Sequence, residues 1–202
     1  VTPTETSSET NTTTSTATET GTETFTATPT NTPTNTPEAT CEVNWVLNGS
    51  ATMGSGTYGS AVTFTTLTNQ AGSAWSSSQL SLDVPFDVTF QVYLGDNPGG
   101  ADGIAFVLQR DPRGTAALGG IGGGLGYGDL NGFPPLDHSL NINPSIDVEI
   151  DTNQNIEPLD PAYDHIGVVE NGLQENGYAN AGGAQPALPG QGTVKDGKEH
   201  DF

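Results

Sequence analysis

The sequence is poor in basic residues, with 4 Lys and Arg against 24 Asp and Glu and a formal net charge of −20 over 202 residues. Proteins that bind nucleic acid need Lys and Arg to displace the counterions of the phosphate backbone, so this composition excludes nucleic acid as a partner. The sequence also has no apolar run of the roughly 18 residues that cross a bilayer, so we predict no transmembrane segment.

Cysteine and large apolar residues are equally scarce in the first part of the chain. The single cysteine, Cys41, cannot form a disulfide within the chain, and we interpret it as a small residue rather than a functional one. Residues 1–40 contain 19 Thr and 4 Pro, one aromatic residue, Phe25, and no Leu, Ile or Met. Such a segment cannot bury enough apolar surface to offset its chain entropy. We therefore predict a disordered Thr-rich stalk over 1–40 and one folded domain over 41–202.

Short strands separated by Gly, Asn, Asp and Pro are typical of the remaining sequence. Residues 86–94 alternate between apolar and polar side chains, which predicts a strand with one buried face. Further strands are predicted at 44–47, 61–67, 103–108, 146–150 and 165–169. Because no segment has helical periodicity, the sequence favours an all-β sandwich or barrel over a parallel α/β sheet.

Side chains that can bind metal ions are concentrated after residue 145. The chain has no Lys or Arg between Arg113 and Lys195, yet this part of it contains many carboxylates: Asp147, Glu149, Asp151, Glu157, Asp160, Asp164 and Glu170. Carboxylates gathered within a few ångströms either raise their pKa values or bind a cation. An amide and an imidazole accompany them, which favours metal binding. Oxygen ligands from Asp151, Asn155 and Asp160 suit calcium, whereas His165 beside Glu149 suits a transition metal such as manganese.

The predicted strand at 146–150 would divide its side chains between two faces. Its aliphatic residues point to one face and the acids around them to the other: Ile146, Val148 and Ile150 against Asp147, Glu149 and Asp151. We expect the aliphatic face to pack and the acidic face to bind. The polar segment 152–164 should fold back and bring Asp160 and His165 to the end of the strand.

Three motifs, taken in their order along the chain, resemble the legume-type (L-type) lectin family in its bacterial branch. They are Gly100 to Leu108, the glycine-rich segment Gly119 to Gly128, and Val148 to Asn155 followed by Asp160-Pro161 and Asp164 to Val168. The likeness extends from about Trp45 to the end of the chain. It implies a concanavalin-like β-sandwich jelly roll built from antiparallel sheets.

The same resemblance implies two ion sites and a sugar site. Its manganese ligands correspond to Glu149, Asp151, Asp160 and His165, and its calcium ligands to Asp151, Asn155, Asp160 and the carbonyl of Asn153. Sugar hydroxyls would be bound by Asp102, by a backbone N–H of Gly122 or Gly123, and by the amide of Asn155. In this family the metal ions hold the sugar site in place, including the cis peptide bond that precedes the aspartate.

Two features depart from the family pattern. Asn153 stands where typical members have an aromatic residue that stacks on the sugar, and either Tyr127 or Tyr163 is a candidate substitute. Lys195 to Phe202 resembles a hairpin that enters a strand whose partners would follow Phe202. We therefore expect the domain to be incomplete at its C-terminus and to expose a sheet edge.

Two other functions remain open at this stage. Alternating acids on one strand also occur in glycoside hydrolases of the concanavalin-like fold, where Glu149 with Asp151 or Asp147 would supply the nucleophile and the acid. That pattern usually ends with a third acid at the position of Asn153, and it does not need His165. The second alternative is an adhesion domain whose metal ions only stabilise it.

The residues and the resemblance together predict a binding module rather than an enzyme. We expect calcium and manganese, or another transition metal, as cofactors and glycans or polysaccharides as partners. A strongly acidic surface suits an exterior rich in divalent ions, so we expect a secreted or cell-surface protein. The sequence makes no prediction about oligomeric state.

Overall fold

A computed structural model describes residues 44–56, 59–129, 138–155, 160–173 and 183–202. The predicted stalk and Cys41 lie outside these residues. The strands are β1 (Trp45–Gly49), β2 (Thr52–Gly56), β3 (Gly59–Thr63), β4 (Gly72–Ser76), β5 (Gln91–Tyr93), β6 (Gly103–Gln109), β7 (Ser145–Asp151), β8 (His165–Glu170), β9 (Gln185–Pro186) and β10 (Glu199–Asp201). Three short 3-10 turns, Gly114–Ala116, Gly122–Gly124 and Pro189–Gln191, are the only helical elements in these ranges.

Every strand pair in the described residues is antiparallel. The largest sheet has the order β6-β7-β8-β9, and two-stranded sheets pair β1 with β4, β2 with β3, and β5 with β10. This architecture confirms the all-β, antiparallel expectation. The described residues include no helix of the length and apolarity that a bilayer crossing requires.

The strands predicted at 103–108, 146–150 and 165–169 are present as β6, β7 and β8. The strand predicted over 86–94 is shorter than expected, because β5 covers only Gln91–Tyr93. Its pairing partner, β10, is also three residues long, and reciprocal backbone hydrogen bonds between Phe90 and Phe202 extend the pairing by one position. The predicted alternation is nevertheless present, since Val92 is buried while its neighbours on both sides are exposed.

Burial is not distributed between the two faces of β7 as expected. Ile146 and Val148, on the aliphatic face, are 42% and 38% exposed, whereas Asp147 and Glu149 on the acidic face are each 1% exposed. The register places Val107 and Val169 on either side of Asp147, and a buried cluster packs there that comprises Ala117, Tyr127, Ile142 and Val169. The acidic face is thus packed as well as being the site of the candidate ligands, while the aliphatic face of β7 is buried at Ile150. The expectation that the aliphatic face alone packs was wrong.

A second apolar cluster packs on the other face of the large sheet, the face that carries Ile104, Ile150 and Ile166. Val92, Ile150 and Val194 form its buried centre, and partly buried side chains surround them: Phe90, Leu94, Ile104, Ile166, Ala187, Leu188 and Phe202. This cluster connects β5 and β10 to β6, β7 and β8. It supports the end of β7 from which the candidate metal ligands project.

The Arg113 side chain ties together the loops around the first cluster. It donates to both carboxylate oxygens of Asp111 at 2.8 and 2.9 Å and to the carbonyl oxygens of Leu118, Leu140 and Asn141. Asp111 also accepts a bond from the backbone N–H of Asn143 at 2.9 Å. These bonds, with that from Arg113 first, hold the pKa of Asp111 well below its ordinary value.

Asp111→Asn should lower the free energy of unfolding at neutral pH by about 1.5–3 kcal/mol, because it removes the anion that Arg113 pairs with. A carboxyl with a depressed folded pKa stabilises the protein above its unfolded pKa of about 3.9 and loses that contribution as the pH falls. The difference between wild type and variant should therefore shrink below about pH 4. Denaturant unfolding from pH 7 to pH 2.5 measures it. The exposed Asp87→Asn serves as control, and a difference that stays constant with pH would contradict the assignment.

Candidate metal centre

Small residues make room for carboxylates on the buried face of β7. The strand register places Ala105 and Gly167 on either side of Glu149, and Gly103 beside Asp151. His165, the first residue of β8, is directly opposite Asp151. The sheet therefore brings two acids and an imidazole together in a buried space without large side chains between them.

The ligand atoms of Asp151, Asp160 and His165 lie within 4.8 Å of one another. His165 Nε2 lies 3.6 Å from Asp160 Oδ1 and 3.8 Å from Glu149 Oε1. The other ring nitrogen, Nδ1, is 3.2 Å from the Tyr163 carbonyl oxygen. A proton on Nδ1 satisfies that contact and leaves the Nε2 lone pair directed at the acids, as in histidines that bind metal through Nε2.

This donor set fits a divalent cation. His165 Nε2 is buried and has no hydrogen-bond partner, and its distances to the acids are too long for hydrogen bonds. Two ligands that each lie about 2–2.5 Å from a common ion are separated by about 3–4 Å, which matches these distances. Carboxylate oxygens with one imidazole nitrogen suit manganese and related metals.

Burial and mutual repulsion disfavour the charged forms of two acids on this face. Burial, with smaller contributions from the charges of Asp160 and Glu149, raises the pKa of Asp151 to about 8. Burial and then the charge of Glu149 raise the pKa of Asp147 to about 9. The face consequently favours any nearby positive charge.

The segment that follows β7 folds back as predicted. Asp151 Oδ1 accepts a bond from the backbone N–H of Asn153 at 2.8 Å, and Asp160 Oδ2 accepts one from the backbone N–H of Asn155. Gln154 Nε2 donates to the Asp160 carbonyl at 2.9 Å. These bonds place the side chains of Asn155 and Asp160 next to the end of the strand.

Asp102 joins this segment from the start of β6, directly after a cis peptide bond between Ala101 and Asp102. Its carbonyl oxygen accepts bonds from the backbone N–H and the hydroxyl of Thr152, at 2.8 and 3.0 Å. The Asn153 amide donates to Asp102 Oδ1 at 3.3 Å and to Asn155 Oδ1 at 2.8 Å. Burial raises the pKa of the half-buried Asp102 carboxyl, against the lowering effects of Lys195 and Asn153.

The glycine-rich segment completes the site. Gly122 begins a 3-10 turn with a φ of 64°, and a Cβ built on it would lie 3.9 Å from Asp102 Oδ2. Backbone bonds from Gly119 to Gly126 and from Gly120 to Gly128 close the loop on itself. The structure therefore brings the three predicted sugar-binding elements together, although their separate roles stay predictions.

Several side chains have positions that the sequence did not reveal. Tyr127 is wholly buried and its hydroxyl is 2.8 Å from Ser145 Oγ, so it cannot stack on a ligand. Tyr163 lies edge-on to His165, with 6.5 Å between ring centroids. Thr152 and Lys195 also contact the site, and sequence reasoning missed both. The sequence feature that could have pointed to Lys195 is that it is the first Lys or Arg after a long acidic segment.

The burial of the acids on β7 argues against the glycoside hydrolase alternative. With Asp147 and Glu149 each 1% exposed, a polysaccharide cannot reach the pair of acids that this mechanism requires. Within the described residues, Gly122 and Asn153 are exposed at this site and Asp102 is half-buried beside them. This arrangement favours binding at the surface over catalysis in the interior.

Comparison with known proteins agrees with this geometry. A sequence profile of the legume lectin β-barrel domain matches residues 35–202. The pesticidal crystal protein Cry22Aa of Bacillus thuringiensis is 34% identical over 141 residues, which cover 65% of this chain and 17% of Cry22Aa. The chain therefore spans about one sixth of the length of that relative.

Proposed function

Because this chain belongs to the legume lectin β-barrel domain family, we propose that it is a glycan-binding module whose sugar site depends on calcium and a transition metal. Family membership supports the carbohydrate-binding role and a non-enzymatic one. The observation that carries the metal dependence is the buried cluster of Asp151, Asp160 and His165, in which His165 Nε2 has no hydrogen-bond partner. We also propose a secreted or cell-surface protein with this domain on a Thr-rich stalk.

The proposed metal ligands are Glu149, Asp151, Asp160 and His165 for the transition metal, and Asp151, Asn155, Asp160 with the Asn153 carbonyl for calcium. Bound divalent cations would supply the positive charge that these buried acids lack. The hydrogen bonds of the chain already hold residues 153–155 against Asp151 and Asp160. The loop is therefore shaped before any glycan binds.

The proposed sugar site is the adjoining surface. Asp102 would accept hydrogen bonds from sugar hydroxyls, while the amide of Asn155 and a backbone N–H of Gly122 or Gly123 would donate. The Asn153 amide bonds to both Asp102 and Asn155, so it occupies the place that a hydroxyl pair would take. A glycan must displace or join these bonds, and Asn153 itself offers no aromatic face on which a sugar could stack. We expect weak binding of single sugars and stronger binding of extended glycans that contact more of the surface.

The net charge narrows the class of glycan. With 24 acidic against 4 basic residues, the surface repels sulfated, sialylated and uronic acid polymers. In the described part of the chain, the one basic side chain that contacts the site, Lys195, is buried. The proposed partners are therefore neutral glycans.

Asp102→Ala should weaken glycan binding by at least about tenfold, because a charged hydrogen-bond acceptor contributes about 1.5–3 kcal/mol. Metal affinity should change little, since Asp102 is not a proposed ligand. Glycan-array screening of wild type, followed by calorimetry with the best neutral glycan, tests both expectations. Asp83→Ala, an exposed acid outside the site, is the matched control. Full glycan affinity in the Asp102 variant would remove Asp102 from the site, and a wild type that binds no glycan while it binds metal would favour the structural adhesion domain.

A further inference from the structure

Lys195 is a buried lysine whose ammonium group is shared between three segments of the site. Its side chain is 7% exposed. Nζ donates to the Gly100 carbonyl at 3.0 Å and to the Thr152 carbonyl, and it lies 3.6 Å from Asp164 Oδ1. An ammonium group has three donors and no acceptor; two of these donors bond to carbonyl oxygens, and the Asp164 carboxylate lies at ion-pair distance.

The three partners are the neighbours of the candidate functional residues. Gly100 lies two positions before Asp102, Thr152 directly follows Asp151, and Asp164 directly precedes His165. One side chain therefore connects the loop that carries Asp102 to the turn after β7 and to the start of β8. The Thr152 backbone N–H and hydroxyl then bond to the Asp102 carbonyl and continue this connection.

The lysine is itself held in place by the segment around it. Asp164 Oδ2 accepts bonds from the Thr193 hydroxyl at 2.7 Å and from the Val194 N–H at 2.9 Å, and the Lys195 N–H donates to Thr193 Oγ1 at 3.1 Å. A buried charge is costly unless its partners compensate for it. Here two carbonyl oxygens and a carboxylate do so, which gives the ammonium one defined position.

We propose that Lys195 is a built-in cation that positions Asp102 against the Thr152 turn whether or not metal ions are bound. This inference rests on the proposed function, since it concerns the same sugar site. Its contacts in the described residues include Gly100, Thr152 and Asp164, all on the Asp102 side of the site. The site thus has two supports: Lys195 holds the Asp102 half, and bound metal ions hold the Asn155 half. Lys195 is a positioning residue and does not touch the glycan.

The wild-type protein allows a direct test, because its two lysines are Lys195 and Lys198. Lys198 is 75% exposed and pairs only with Asp196 among the described residues, so it is an internal standard on the same segment. We expect an amine-reactive reagent to modify Lys198 at least tenfold faster than Lys195, with and without EDTA, as followed by peptide mass spectrometry. A Lys195 rate that comes within threefold of the Lys198 rate, in either condition, would overturn the proposal.

A pair of variants tests the positioning role. Lys195→Met keeps an apolar stem and removes the ammonium, while Lys198→Met makes the same change at the exposed position. In EDTA, the Thr152 amide of K195M should exchange hydrogen at least tenfold faster than in wild type by NMR, while amides of the β1–β4 pair change less than threefold. With metal present, glycan affinity should fall at least fivefold in K195M and stay unchanged in K198M.

Equal acceleration of exchange at Thr152 and in β1–β4 would show a general loss of stability and would refute a specific positioning role. If K195M does not fold, the labelling of wild type still decides the matter. A wild-type protein that binds no glycan would contradict the proposed function. The amine-labelling rates and the Thr152 hydrogen exchange do not need a glycan, so they still test the positioning role of Lys195.

Discussion

Removal of divalent cations with excess EDTA is expected to abolish glycan binding, with a loss of more than a hundredfold in affinity. Asp151, Asp160 and Glu149 share a buried space with His165. Without a counter-cation the repulsion between these acids is relieved by protonation or by movement of the segment 152–155. Either change displaces the Asn155 amide, so that half of the sugar site is lost.

The same treatment should lower the melting temperature. A ligand present at a hundred times its dissociation constant stabilises the folded state by about 2.7 kcal/mol, which corresponds to about 5–10 °C for a domain of this size. Glycan-array binding and thermal melting, before EDTA, after EDTA and after return of calcium and manganese, provide the measurements. A mock treatment at the same ionic strength is the control.

The outcomes separate the candidate functions. Loss of both glycan binding and thermal stability, restored by the metals, supports the proposed lectin. A melting shift in a protein that binds no glycan at any stage supports a metal-stabilised adhesion domain. An unchanged glycan profile and unchanged melting in excess EDTA would refute the metal dependence.

Gly103→Ala is expected to destabilise the domain by about 3 kcal/mol and to lower its melting temperature by about 6–12 °C. The backbone of Gly103 has a φ of 150°, and a Cβ there would overlap the Ile150 carbonyl oxygen and lie 3.1 Å from Asp151 Cα. These are backbone atoms of β7, so they cannot move aside without breaking the β6–β7 pairing. The displacement would also reach Asp102, which precedes Gly103, and Asp151, its partner in β7, so both glycan and metal affinity should fall.

Gly99→Ala is the matched control in the same loop, because its Cβ would meet only the Asn97 side chain, at an ordinary 3.5 Å. Thermal melting and calcium titration of both variants measure the difference. If the Gly103 variant melts within 2 °C of wild type, then β6 and β7 do not approach each other so closely at this position.

The sequence indicated the main strands and the ligand types because both depend on local chemistry. Short strand-like runs between turn residues predicted β6, β7 and β8, and the excess of acids over bases predicted that the acids need a cation. The spacing of Asp151, Asn155, Asp160 and His165 was sufficient to place them in one site, because a polar segment that follows a strand can fold back only over a short distance. The resemblance of three motifs pointed to the family that the profile comparison then showed.

Long-range packing decided what the sequence could not. The burial of the acidic face of β7 depends on Tyr127, Ile142 and Val169, whereas the pattern of β7 alone predicted packing on the aliphatic face only. The length of β5 depends on β10, which is more than a hundred residues away in sequence.

Composition and motif spacing by themselves thus determined an acidic, all-β domain with a set of potential metal ligands, since these properties follow from residue chemistry and strand periodicity. Only the tertiary structure joined Asp102, Gly122 and Asn153 at one surface and placed the Lys195 ammonium behind them. The physical reason is that hydrogen bonds and ion pairs act over a few ångströms, and only the folded chain brings residues as distant as Gly100 and Lys195 within that range.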